Sequence, residues 1–112
     1  MLSETERGTL HDILRHIDLA ERFTRDHTFE SFHSEELHLL AVTRCLEVIS
    51  EASRRLPDEL KARHPEIGWK QMAGAGNVCR HDYQDIAAHR IWDAVKLSLP
   101  PLRAAVEQEL RD

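Results

Sequence analysis

The sequence is poor in the residues that usually announce a site or a scaffold. It holds two cysteines, four glycines, four prolines and a single tyrosine, and only 5% of it is aromatic. Cys45 and Cys79 stand far apart, which is neither a disulfide framework nor a paired CxxC metal site, so both thiols are expected to be reduced. Positive charge is also in deficit. Fifteen Lys and Arg against 20 Asp and Glu leave a formal net charge of -5, which excludes a protein that coats nucleic acid nonspecifically. Long apolar runs are missing as well. The opening "MLSETERGTL" has no apolar core behind a basic start, and no stretch approaches the length that spans a bilayer, so a cytoplasmic protein with no membrane partner is expected.

What is present is an ordinary globular composition, 41% hydrophobic and 31% charged, over a length that suits one domain, residues 1–112. Ser3 followed three residues later by Glu6 is a capping-box pattern, and it leads into Leu10, Ile13, Leu14, Ile17, Ala20 and Phe23 at the helical period. This predicts a first long helix over about 4–24. The segment "RDHTFESFHSE" lacks that period and reads as a connection, with Ser31 and Ser34 as candidate caps and Phe29 and Phe32 to pin it down. A second long helix is predicted from about 35 to 56, with Leu37, Leu40, Ala41, Cys45, Val48, Ile49, Ala52 and Leu56 as its apolar stripe and Pro57 as its end.

Between Pro57 and Pro65 there is room for a short helix only, after which Gly68 and Trp69 open a third substantial one. Gly74 and Gly76 weaken its far end. Asp85 can cap a helix through Ile86, Ile91, Trp92, Val95 and Leu99, interrupted by Pro100 and Pro101, and a last helix follows from about 102 to 110. No strand pattern, repeat or low-complexity tract occurs. The expected fold is all-α, a helical bundle built on two long antiparallel helices with shorter helices packed across them.

The chemistry concentrates in "GAGNVCRHDYQD", residues 74–85. Asn77 and His81 are four apart and share one helical face, while Arg80 points about 100° away from His81. Imidazole gives and takes a proton near neutral pH, and guanidinium is a permanently charged planar fork suited to phosphate, so these are parts for phosphodiester chemistry. The plainer reading is that Arg80 and His81 close a helix C-terminus, complementing its dipole. His81, Asp85 and His89 are spaced four apart as metal ligands would be, but a cap at Asp85 breaks the line, and no metal or other cofactor is expected. The pairs His11 with His16 and His33 with His38 read as solvated surface residues. On the second long helix, Arg44, Glu47, Glu51 and Arg54 form a charge ladder that is usually solvent-facing. Arg44 and Glu51 are retained as supporting candidates, since a carboxylate there could orient the motif from a neighbouring helix.

Three stretches in order, "RCLEVISEASRRLPDEL", "HPEIGWKQMAGAGNVCRHDY" and "IWDAVKLSLPPLRAAVEQEL", resemble the HepT-like branch of the HEPN superfamily from about Leu10 to the C-terminus. The resemblance implies an all-α homodimer, a toxin that cleaves RNA without a metal ion, and a minimal nucleotidyltransferase as its antitoxin. The family motif is an arginine, often followed by asparagine, then a histidine with a tyrosine two beyond. Asn77, His81 and Tyr83 match it, and Gly76 stands where the arginine is expected. By this resemblance His81 is the general acid or base, Arg80 takes over the charge of the missing arginine, and Tyr83 is where the partner attaches AMP. The alternative is a helical nucleotide- or antitoxin-binding partner of the nucleotidyltransferase with little or no catalysis, which Gly76 favours. For Tyr83 the plainer reading is a half-buried ring whose hydroxyl meets a backbone group.

Overall fold

In the computed structural model, the backbone is described for residues 1–81 and 84–112, and the side chains for residues 1–76 and 86–112. Among these residues every regular element is helical. Helix α1 (Glu4–Thr24) opens on the predicted capping box: Ser3 Oγ accepts from the Glu6 amide at 3.0 Å, and the Ser3 amide donates to Glu6 Oε1 at 2.9 Å. It buries Leu10, Ile13, Ile17 and Ala20. Helix α3 (Glu36–Arg54) faces them with Leu39, Val42, Leu46, Ile49 and Ala52. Among the described residues the α1–α3 pairing is the most extensive contact. A second capped turn, α2 (Phe29–Ser34), joins the two.

Helix α4 (Asp58–Ala62) fills the short space between the two prolines, and α5 (Trp69–His81) lies against α3. Its direction is opposite to that of α3, because Ala73 meets Arg54 while Gly76 meets Glu47. Helix α6 (Gln84–Asp93), a π-turn (Ala94–Ser98) and α7 (Leu99–Arg111) then follow without interruption as one rod. That rod runs antiparallel to α1. Lys96 Nζ reaches Thr24 Oγ1 at 3.4 Å, Arg103 bridges Asp18 and Glu21, and Glu109 shares a cavity wall with Met1 and Leu2. The result is a four-rod bundle. Its lower end gathers both termini and α4, and its upper end carries α2, the start of α3 and the passage from α5 to α6.

Four expectations are corrected. The segment after Arg25 is a helix, not a plain connection, because Thr28 caps it and Ser31 serves as the return partner, a capping box with serine where glutamate is usual. Phe32 is fully buried beneath it, and Phe29 is half-buried. The apolar stripe of α3 is rotated from the predicted one: Leu37 and Leu40 are 75% and 60% exposed, and Leu39, Val42 and Leu46 take the core. Ile86 on α6 is likewise exposed. Pro100 and Pro101 lie in the first turn of α7, directly after the π-turn, instead of interrupting the rod. Finally, α6 already includes Gln84, so Asp85 lies inside the helix and not at its cap. Cys45 is a free, buried thiol whose pKa is pushed up by loss of solvation, which makes it inert.

Candidate functional site

The site is built on the last turns of α5. The helix runs through Gly74 and Gly76 to His81, so the two glycines do not end it. They differ in surroundings. A Cβ at Gly74 would meet nothing within 4 Å, whereas one at Gly76 would sit 3.3 Å from the Glu47 Cα and 3.6 Å from the Ser50 Cβ. Gly76 is therefore a point of close approach between the α5 and α3 backbones, and a bare Cα eases it. This gives a physical reason for glycine at the position where the family pattern has arginine. A long side chain there would have to leave between two helices.

One turn earlier, the Ala73 carbonyl takes two donors from α3. Ser50 Oγ and Arg54 Nη2 both donate to it at 2.5 Å. In an α-helix that carbonyl also faces the amide four residues on, which is Asn77. The start of the motif is thus tied to α3 by a serine that is 2% exposed and by a guanidinium held in turn by Glu51, whose Oε2 lies 3.4 Å from Arg54 Nη1. Sequence reasoning missed Ser50. A polar residue in the middle of the core face of α3 was the available signal, since a buried hydroxyl needs a partner.

Of the candidates, Asn77, Arg80 and His81 follow Ala73 on the backbone of α5, so the structure keeps them on one helix with the spacing read from the sequence. Their side chains, and Tyr83 altogether, lie outside the described residues. Arg44 and Glu51 are on α3. Arg44 is mostly exposed and pairs with Glu47 at 3.9 Å, and Glu51 pairs with Arg54 and Arg55. Neither has a described contact with α5. Among the described residues, Glu47, Ser50 and Arg54 of α3 do meet α5.

On the other flank of α5, a cavity of about 440 Å³ is lined by Met72, Ala75, Ile91, Ala94, Leu97 and Pro101, with Glu66, Gln71 and Arg90 among its polar neighbours. Among the described residues no group of three or more His, Cys, Asp or Glu side chains could hold a metal ion. Among the described residues no helix is long and apolar enough to cross a membrane.

Comparison with known proteins fits this architecture. The model of the family described as "Ribonuclease HepT-like" matches residues 13–109. The chain is 36% identical over 107 residues to "Probable ribonuclease HepT" of Thermococcus cleftensis, covering 96% of this chain and 97% of that one. It is 32% identical over 106 residues to "Putative RNase MJ0125" of Methanocaldococcus jannaschii, covering 95% and 91%. No solved structure gives a significant match. With the family model spanning most of its length, the chain belongs to the HepT-like family.

Proposed function

We propose that this protein is an RNA endonuclease that needs no metal ion, acting as the toxin of a toxin–antitoxin pair. The observation that carries the reading is the family match over residues 13–109, which includes the whole motif, together with relatives named as ribonucleases along nearly their full length. The chemistry is a phosphoryl transfer in which His81 takes the proton of the RNA 2′-hydroxyl or returns one to the leaving oxygen. Arg80 steadies the charge that builds on the phosphate, and Asn77 orients the bound strand. Arg54 and Ser50 support the arrangement by fixing α5 one turn before Asn77.

The homodimer belongs to the same proposal. Leu37, Leu40 and Ile86 are exposed on α3 and α6, at the end of the bundle where α5 passes to α6, and an apolar patch beside the motif suits pairing of two motifs across a twofold axis. Tyr83 is the position for AMP attachment by a minimal nucleotidyltransferase. A phosphate diester beside the cleft would repel RNA. A cytoplasmic location follows from that pairing of partners.

The deciding experiment is RNA cleavage by the purified chain in excess chelator, wild type against His81→Ala. Cleavage that vanishes in the variant is expected; cleavage that persists unchanged removes His81 from the mechanism. The second reading, a weakly active or inactive nucleotide- or antitoxin-binding partner, is favoured by one observation, the close α3–α5 packing at Gly76 in place of an arginine. No cleavage by the wild type, with retained binding to the nucleotidyltransferase, selects it.

A further inference from the structure

The upper end of the bundle carries a set of flat side chains that the cleavage chemistry does not use. Phe29 on α2 lies nearly parallel to His89 on α6, with ring centroids 3.9 Å apart and 16° between planes. It is also nearly parallel to His33, at 5.6 Å and 24°. The two imidazoles therefore flank the phenyl ring. Trp92 meets Phe29 edge-on at 6.1 Å, and Lys96 Nζ stands 4.7 Å above the Trp92 ring while reaching Thr24 Oγ1. His89, Trp92 and Lys96 are spaced three and four apart, so they form one stripe along the rod. His89 is exposed, and among the described residues Phe29 is its one ring contact.

We propose that this stripe is a subsite for single-stranded RNA, in which the outer face of His89 takes an unstacked base and the Lys96 ammonium meets a neighbouring phosphate. Proteins take splayed RNA bases on the faces of aromatic and histidine side chains, and such stacking tolerates any base because every base has a π-face. Stacking is also what this chain needs. With a net charge of -5 it cannot hold a polyanion by bulk attraction, so local contacts of this kind must supply the affinity. An aliphatic helix of a protein partner would meet rings and an ammonium here, whereas an RNA strand finds a flat face and a cation in sequence. His89 and Trp92 lie on α6, the helix that follows the motif in the chain. The identity of the ligand rests on the RNA-cleavage reading.

The test uses a short, fluorescently tagged 2′-O-methyl oligoribonucleotide, which lacks the nucleophile for cleavage, and reads binding to the full chain by anisotropy. His89→Ala is expected to raise Kd about tenfold, the loss of one stacked base. His89→Phe, which keeps a flat face without the imidazole, is expected to stay within about threefold of wild type. Lys96→Ala should reduce the slope of log K against log salt by about 1. Circular dichroism and melting of each variant show that the fold is kept. Wild-type affinity in His89→Ala, an equal loss in His89→Phe, or no binding by the wild-type chain overturns the subsite. Cleavage of unmodified RNA is scored separately: binding that depends on His89 without any cleavage would sink the catalytic reading and leave the subsite standing, and cleavage with no dependence of binding on His89 would do the reverse.

Discussion

The two ends of the bundle solve the same problem in opposite ways. At the lower end, polar groups close on one another. Arg63 donates twice to Glu109, from Nη2 at 2.8 Å and Nε at 3.1 Å, and His64 Nε2 lies 2.6 Å from the same carboxylate. His64 and Glu109 are 3% and 6% exposed. Beside them the Trp69 indole donates to the carbonyls of Lys61 and His64, both at 3.1 Å. At the upper end, rings and hydrocarbon take over: the His33, Phe29 and His89 stack, the exposed Leu37 and Leu40, and a His38 Nδ1 that is buried with no hydrogen-bond partner among the described residues. At the lower end Arg63, His64 and Glu109 satisfy one another, whereas His89 at the upper end keeps an exposed ring. The upper end is also the one on which the motif sits.

This contrast can be broken at either end. The largest effect is expected from Phe32→Ala, because Phe32 is fully buried and carries α2: unfolding free energy should fall by about 3–5 kcal/mol in urea titration. The ring stack should be lost with it. Next comes Gly76→Leu, which forces a side chain into the 3.3 Å approach to Glu47. Overpacking there should cost about 1–3 kcal/mol, with RNA cleavage falling as α5 is displaced. A variant as stable as wild type would show that the two helices can part without loss.

At the lower end, Glu109→Gln should cost about 1–3 kcal/mol, the usual loss when a buried hydrogen-bonded group loses its partner. Its sign with pH is fixed. Hydrogen bonding to Arg63, and secondarily to His64, holds the Glu109 pKa below its ordinary value, against the opposing effect of burial. The bonus is therefore complete above the unfolded carboxylate pKa, about 4.3, and disappears as pH falls through the lower folded value. Melting temperatures of wild type and Glu109→Gln should begin to draw together as pH falls below about 4.3. A gap that stays constant on acidification would deny the ion pair its role. The smallest effect, and of opposite sign, belongs to Gly74→Ala, where nothing lies within 4 Å: it should stabilise by about 0.5–1 kcal/mol through helix propensity alone.

Local signals carried the sequence reading a long way. The Ser3–Glu6 box, the period of α1, the stop at Pro57 and the opening at Trp69 each act within a few residues, and each element stands where it was expected. The α2 helix escaped because Ser31 fills the place of the usual glutamate and because six residues are too few to display a period. The rotated stripe of α3 has a different cause. Leucines at positions 37, 39 and 40 allow two phases, and only the docking of α1 and the rod chooses Leu39. At the site, the spacing of Asn77, Arg80 and His81 was legible, while the grip on Ala73 was not. Ser50 and Arg54 come from 23 and 19 residues away and meet that carbonyl through the register of two helices, which no short window contains. The ring pair Phe29 and His89 is hidden for the same reason.

The π-turn at Ala94–Ser98 holds one more consequence. A wide turn of this kind accommodates one residue beyond what plain α-winding needs, and Leu97, 70% exposed, lies within it. Elsewhere in the rod, excising a single residue would swing everything downstream by about 100°, carrying Glu109 away from His64 and Arg103 away from α1. Excision inside the π-turn leaves that phase intact. The rod therefore has one place where its length can change by a residue, and it lies between α6, which carries His89 and Trp92, and the helix that locks the base.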